Sequence, residues 1–213
     1  MKPLRPSILS VVLLGSCIAA PVASAENVRF EVSPFVGYRM GGSFDAADAA
    51  TGGSKSADLD NDTSWGVDLG LYRDSSSFYE LLYSRQGTAI DSKDPALSGV
   101  DVTTEYFQFG GTVLYPQEQW AVPYLSFTLG ATRLSADGFS SETKFSGSLG
   151  GGLRMPFNDT FAATLGVRGY LTLVESDTDY FCKSVDGEAS CLLRSSGNTM
   201  FQVEALLGIT ARF

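Results

Sequence analysis

Phe201-Gln202-Val203-Glu204-Ala205-Leu206-Leu207-Gly208-Ile209-Thr210-Ala211-Arg212-Phe213 is the stretch that decides the fold, and it reads in twos. Phe201, Val203, Ala205, Leu207, Ile209, Ala211 and Phe213 are apolar. The residues between them are polar or small, except Leu206. Side chains of an extended chain alternate between the two faces of a sheet, so this pattern marks a β-strand with one oily face and one polar face.

The same period recurs upstream. Ala163, Leu165, Val167, Gly169 and Leu171 alternate with Thr164, Gly166, Arg168, Tyr170 and Thr172. Leu125, Phe127, Leu129 and Ala131 alternate with Ser126, Thr128, Gly130 and Thr132, and Trp65, Val67, Leu69 and Leu71 with Gly66, Asp68 and Gly70. Phe35 breaks the pattern of the first segment, and residues 78–86 alternate least cleanly. The periodicity predicts eight strands, near 28–40, 63–73, 78–86, 102–115, 123–134, 144–155, 161–173 and 199–213. Most reach the roughly 9–11 residues that a tilted strand needs to cross a bilayer. The connections alternate between short (74–77, 116–122, 156–160) and long (41–62, 87–101, 135–143, 174–198). The long ones are rich in Gly, Ser and Asp and read as solvated loops. Short turns on one side and long loops on the other is the arrangement of an outer-membrane barrel.

Alternation defines two faces without saying which one meets lipid. A soluble ligand-binding barrel would turn the oily face inward. Three features favour lipid outside. The polar face is crowded with Gly, Ser and Thr, which suit the side-chain-sized space inside eight strands. Its charges balance, with Glu31, Asp68, Glu80 and Glu204 against Arg39, Arg154, Arg168 and Arg212. An enclosed interior needs that balance, because an unpaired buried charge is costly. Aromatic residues such as Trp65, Tyr83, Tyr115, Trp120, Phe145, Phe161, Phe201 and Phe213 sit near strand ends, as in interfacial girdles. Arg168 and Glu204 lie on the inward faces of the last two strands at similar heights, which predicts an ion pair between them.

The N-terminus reads as an export signal over 1–25. Lys2 and Arg5 precede an apolar run from Ile8 to Ala20, and Ala23-Ser24-Ala25 supplies a cleavage site. Cleavage there leaves a barrel domain over 26–213 and takes the net charge from −9 to −11. Leu14-Gly15-Ser16-Cys17 also resembles a lipobox, an alternative in which Cys17 is lipidated. Of the three cysteines, Cys182 and Cys191 survive cleavage, and an even count in an exported chain predicts a disulfide.

These features together resemble the small outer-membrane barrel family that includes the OmpA transmembrane domain and the OmpX-like and OmpW-like proteins. The carrying stretches are Val32-Ser33-Pro34-Phe35-Val36-Gly37-Tyr38, Tyr124 to Thr132, Leu149-Gly150-Gly151-Gly152-Leu153-Arg154 and the last strand. The resemblance implies an all-β, eight-stranded, antiparallel up-and-down transmembrane barrel in the cell outer membrane. It also implies that the terminal Phe213 serves as the signal read by the barrel-assembly machinery. No counterpart of the peptidoglycan-binding domain of OmpA itself is expected within these residues.

Chemistry is constrained mainly by what is missing. The chain has no histidine, so Ser–His activation of a nucleophile is unavailable, and the outer-membrane enzymes that this family resembles use His. No enzymatic role, cofactor or resident metal is expected. Asp58-Leu59-Asp60-Asn61-Asp62 begins like a calcium loop, but Thr63 and Leu69 stand where Gly and Glu are needed. A looser cation contact near lipopolysaccharide phosphates stays open. Gly150-Gly151-Gly152 lies inside a strand, without the Lys and helix of a phosphate loop, and is better explained by a bend or close packing. The acidic balance and the lack of a basic stripe exclude nucleic acid as partner. The expected partners are outer-membrane lipids, lipopolysaccharide, the assembly machinery, and host or envelope proteins met through the loops. The expected role is structural or adhesive, with a narrow channel for small or hydrophobic solutes as the alternative.

Overall fold

The computed structural model describes residues 29–47, 54–91, 99–115, 120–136, 140–174, 179–185, 188–194 and 199–213. The segment over 1–25 expected to be an export signal, including Cys17, lies outside them. No helix among the described residues is long and apolar enough to cross a membrane. Strands make the crossing instead.

Eight strands form the wall: β1 (Phe30–Gly41), β2 (Asp62–Tyr72), β3 (Ser77–Asp91), β4 (Asp101–Leu114), β5 (Val122–Ala136), β6 (Glu142–Pro156), β7 (Phe161–Leu173) and β8 (Thr199–Arg212). Each pairs antiparallel with its chain neighbours, and β1 pairs with β8, so the sheet closes and leaves no edge in lipid. The closing seam is fastened at the end of the wall that carries the short turns. Phe30 and Phe213 exchange backbone hydrogen bonds of 3.2 and 2.9 Å, and their rings stack 5.0 Å apart.

Two short turns are tied by side-chain oxygens. The Asp74 carboxylate accepts from Ser76 N at 2.8 Å and from the Ser77 hydroxyl at 2.5 Å. Asn158 Oδ1 accepts from Thr160 N and Phe161 N at 2.9 and 2.7 Å. Asx side chains satisfy turn amides in this way and so hold tight reversals.

The oily face points outward. Leu149, Leu207 and Ile209 are 54–58% exposed, while Arg39 and Glu204 are 0% exposed. A soluble barrel would show the reverse. Phe35, which breaks the polarity pattern of β1, keeps its direction: it faces inward and packs with Leu82, Tyr106, Tyr170 and Leu206. The β1 alternation is therefore intact geometrically and broken only chemically.

Gly150-Gly151-Gly152 lies in β6, as the strand reading requires. A Cβ at Gly152 would meet Leu165 O at 2.1 Å, so close packing of the wall explains that glycine.

Two expectations need correction. The third strand runs to Asp91, five residues beyond its predicted end. Beyond Ser84 its outward residues are Arg85, Gly87 and Ala89, so the hydrophobic signal vanishes although the ladder to β4 continues as far as Ala89. The long connections at 41–62 and 174–198 also contain strands. Ser43–Ala47 pairs with Ser54–Leu59, which joins β3 through Asp58↔Asp91 and Leu59↔Ile90. Asp179–Val185 pairs with Glu188–Arg194. These strands are only 5–7 residues long and stand among Gly-, Ser- and Asp-rich residues, so the sequence pattern does not separate them from loop.

Candidate functional site

The candidate site is the barrel interior, where the eight charges read from the sequence all reside. The wall places them in tiers. Near the short-turn end, Arg154 grips Glu31 with two parallel bonds of 2.8 and 2.9 Å. This is the fork geometry that makes guanidinium–carboxylate pairs strong. Tyr72 donates to the same carboxylate at 2.6 Å, and Arg212 lies 3.7 Å from it. The Arg154 guanidinium also sits over the Phe78 ring at 5.3 Å.

In the middle tier, Arg168 donates to Glu80 at 2.6 Å and approaches Asp68 at 3.9 Å. The Thr112 hydroxyl also donates to Glu80. Around them runs a ladder of neutral partners. Thr128 donates to Gln108 at 2.8 Å, Gln108 donates to Ser146 at 2.9 Å, and Thr128 and Ser148 are 2.6 Å apart.

The upper tier centres on Glu204. Its carboxylate accepts from Arg39 at 2.8 Å, Ser64 at 2.5 Å and Tyr170 at 2.6 Å. Arg39 also donates to the Ser84 hydroxyl. The Tyr106 and Tyr170 rings stack 4.2 Å apart, and Arg39 lies over both at 4.9 Å. Tyr106 donates to Gln202 at 2.7 Å. Arg39, Tyr106, Tyr170, Gln202 and Glu204 are all completely enclosed.

One pairing departs from expectation. Arg168 and Glu204 are direct register partners on adjacent strands and both face inward. Yet their ion pairs go elsewhere, Arg168 to Glu80 and Glu204 to Arg39. Glu204 is flanked in register by Arg39 on β1 as well as by Arg168 on β7, so two cations compete for it. Glu80 and Asp68 draw the long Arg168 side chain across the lumen, which leaves Arg39 for Glu204. Sequence reasoning also missed the tyrosines. Tyr170 stood on the polar face of its strand, but nothing in the spacing announced that it would stack on Tyr106 from the far wall.

The remaining site residues are placed as follows. Phe213 lies at the short-turn end against Phe30. Cys182 and Cys191 are directly opposed in the Asp179–Val185/Glu188–Arg194 ladder. In the carboxylate-rich stretch before β2, the Asn61 side chain accepts from Gly41 N at 3.2 Å and Asp62 from Thr63 N at 2.6 Å. Among the described residues, no three His, Cys, Asp or Glu side chains gather as a metal site would require.

An inverted barrel with an oily outside and a charge-balanced inside is the geometry of a bacterial outer-membrane wall. The sequence profile of the outer membrane protein beta-barrel domain matches residues 9–185. The chain belongs to that family. It is an outer-membrane β-barrel protein, similar in fold to other small barrels. Neisserial surface protein A aligns with a TM-score of 0.55 at 15% identity, over 86% of this chain and 97% of its own. AlkL, solved in lipid bilayers, aligns with a TM-score of 0.55 at 12% identity, over 100% of this chain and 97% of its own. OprG of Pseudomonas aeruginosa aligns with a TM-score of 0.54 at 11% identity, over 87% and 96%. No curated protein matches the chain by sequence. The family places the barrel in the outer membrane, with its short turns periplasmic and its long loops extracellular.

Proposed function

We propose that the protein is a closed, non-conducting envelope barrel that acts through its outer wall and extracellular loops, with a structural or surface-contact role. The observation that carries this reading is the upper tier of the lumen. Arg39, Tyr106, Tyr170, Gln202 and Glu204 project inward from β1, β4, β7 and β8 and are fully enclosed. An ion crossing there must part a buried ion pair and separate two stacked rings. Eight strands leave room for side chains and little else. The neighbour named a surface protein in Neisseria supports the same reading.

Export through the 1–25 signal, a Cys182–Cys191 disulfide and recognition of Phe213 by the assembly machinery belong to this proposal. Host or envelope proteins are the partners proposed for the loops. The test is single-channel recording of the refolded, heat-modifiable protein in planar bilayers. A flat baseline is expected, and stable unitary conductance from the folded form would overturn the reading in favour of a channel.

A further inference from the structure

The strand registers reveal where the outer leaflet ends. Tyr83, Phe107, Ala131 and Phe145 form one outward row across β3–β6. The next outward row toward the loops is Trp65, Arg85, Glu105, Arg133 and Thr143. Above it come Gly87, Thr103 and Ser135. Inside, Val102, Leu134, Ala136 and Ile90 join the buried polar side chains Gln86, Thr88 and Thr104 at this height. The outward face therefore changes from oily to polar while the interior becomes mixed. The outward change falls at the Arg85–Glu105–Arg133 row.

That row is one-sided. Toward the loops, the outward positions of β6, β7, β8 and β1 are Thr143, Leu173, Phe201, Tyr38 and Met40, with no cation among them. The two arginines flank Glu105 and stand two strands apart, about 10 Å along the wall. Both are exposed. Glu105 is held down by the Tyr83 hydroxyl at 2.8 Å and lies 3.9 Å from Arg85. Arg133 has one described contact, to the Ser141 hydroxyl at 3.4 Å. Tyr83 and Phe107 in the row directly below, with Trp65 beside Arg85 in the row itself, form an aromatic shelf with ring centroids 5.7 and 4.8 Å apart. The row thus carries net positive charge at headgroup height, over a surface shaped for acyl chains.

The geometry points to a bound outer-leaflet glycolipid, its phosphate held by Arg85 and Arg133 and its acyl chains lying on the Trp65–Tyr83–Phe107 shelf. Charge complementarity selects the occupant. Guanidinium groups favour phosphate through paired hydrogen bonds, and the leaflet at this height supplies phosphate attached to oil. Glu105 lies beside Arg85 and offsets one of the two positive charges, which leaves one for the ligand.

Trp65 is the register partner of Arg85 and therefore a built-in reporter. With Trp120→Phe it is the sole tryptophan. The folded protein in phosphatidylcholine vesicles is titrated with rough lipopolysaccharide, with the same material dephosphorylated, and with phosphatidylglycerol, and Trp65 emission is followed. Saturation at low mole fraction is expected for intact lipopolysaccharide only. The Arg85→Gln, Arg133→Gln double variant should need at least roughly tenfold more, as expected when both charge-assisted contacts are lost. The Arg85→Lys, Arg133→Lys variant should lie between the two. Arg73→Gln, at a periplasmic turn, should match the parent. Heat-modifiable mobility establishes that each variant is folded. A double Gln variant that titrates like the parent, or phosphatidylglycerol that saturates as well as lipopolysaccharide, would overturn the site. Neither result touches the conductance test of the closed lumen.

Discussion

Replacing Glu204 with Gln leaves the Arg39 guanidinium charged, enclosed and without its counter-ion. Glu204 now accepts from Arg39, Ser64 and Tyr170 at 2.8, 2.5 and 2.6 Å, in a site with no solvent contact. The Gln amide keeps one acceptor oxygen but turns an NH2 toward at least one donor. Stripping one partner from a buried ion pair costs about 3–5 kcal/mol, and the expected loss is about 3 kcal/mol because the two tyrosine faces still screen Arg39. The Arg39→Met, Glu204→Gln double variant should lose much less than the summed single losses, with a coupling energy of about 2–3 kcal/mol. The parallel cycle through Arg168→Met and Glu204→Gln should give under about 1 kcal/mol, since Arg168 retains Glu80 at 2.6 Å. Reversible urea unfolding in phosphatidylcholine vesicles, read by tryptophan emission, measures both cycles. A coupling through Arg168 as large as that through Arg39 would refute the pairing described.

Other perturbations probe separate parts of the barrel. Hydrogen bonds from Ser77 and Ser76 hold the Asp74 carboxyl down to about 2 from an ordinary 3.8. Because the folded value is depressed, the turn's contribution is intact above pH 4 and is lost as pH falls toward 2; NMR titration should place the Asp74 midpoint near 2, and a midpoint near 4 would contradict the turn. A Cβ at Gly130 would sit 2.0 Å from Phe107 O, whereas one at Gly87 meets nothing within 4 Å. Gly130→Ala should therefore destabilise by about 1–3 kcal/mol, as overpacking does, while Gly87→Ala should be near neutral in the same urea assay. Directly opposed cysteines have Cα atoms about 4.5–5.5 Å apart in an antiparallel ladder, within disulfide range. Thiol labelling of the unreduced, denatured protein should find neither Cys182 nor Cys191 free, and quantitative labelling of both would refute the bond.

What was legible in the sequence is what period two encodes. Seven of the eight strands begin and end within two residues of the positions read from alternation, because in lipid every outward residue must be apolar and the signal is strong. Where the wall leaves lipid, that requirement lapses, and β3 beyond Ser84 became invisible. The Ser43–Ala47/Ser54–Leu59 ladder was hidden by the shortness of its strands. The inward charges were legible as a set, since Glu31 and Arg154 each stood on a polar face. Their pairing was not. Two of the pairs cross the lumen: Arg154–Glu31 joins β6 to β1, and Arg168–Glu80 joins β7 to β3. Such contacts depend on the reach of long side chains across a closed cylinder, which sequence spacing does not contain. Phe35 and Leu206 looked like flaws in the pattern for the same reason, as their partners Leu82, Tyr106 and Tyr170 lie on other strands.

The central claim is that the oily face meets lipid while the interior is closed to water. Single cysteines tested on a Cys182→Ser, Cys191→Ser background address both halves at once. Leu149→Cys and Leu207→Cys face outward; Thr128→Cys and Ser148→Cys face the filled lumen. With the folded protein in vesicles, a lipid-soluble maleimide should label the outward pair rapidly, and a charged, water-soluble maleimide should label neither pair until the barrel is unfolded. Rapid labelling of Thr128→Cys or Ser148→Cys by the charged reagent in the folded protein would contradict the closed interior.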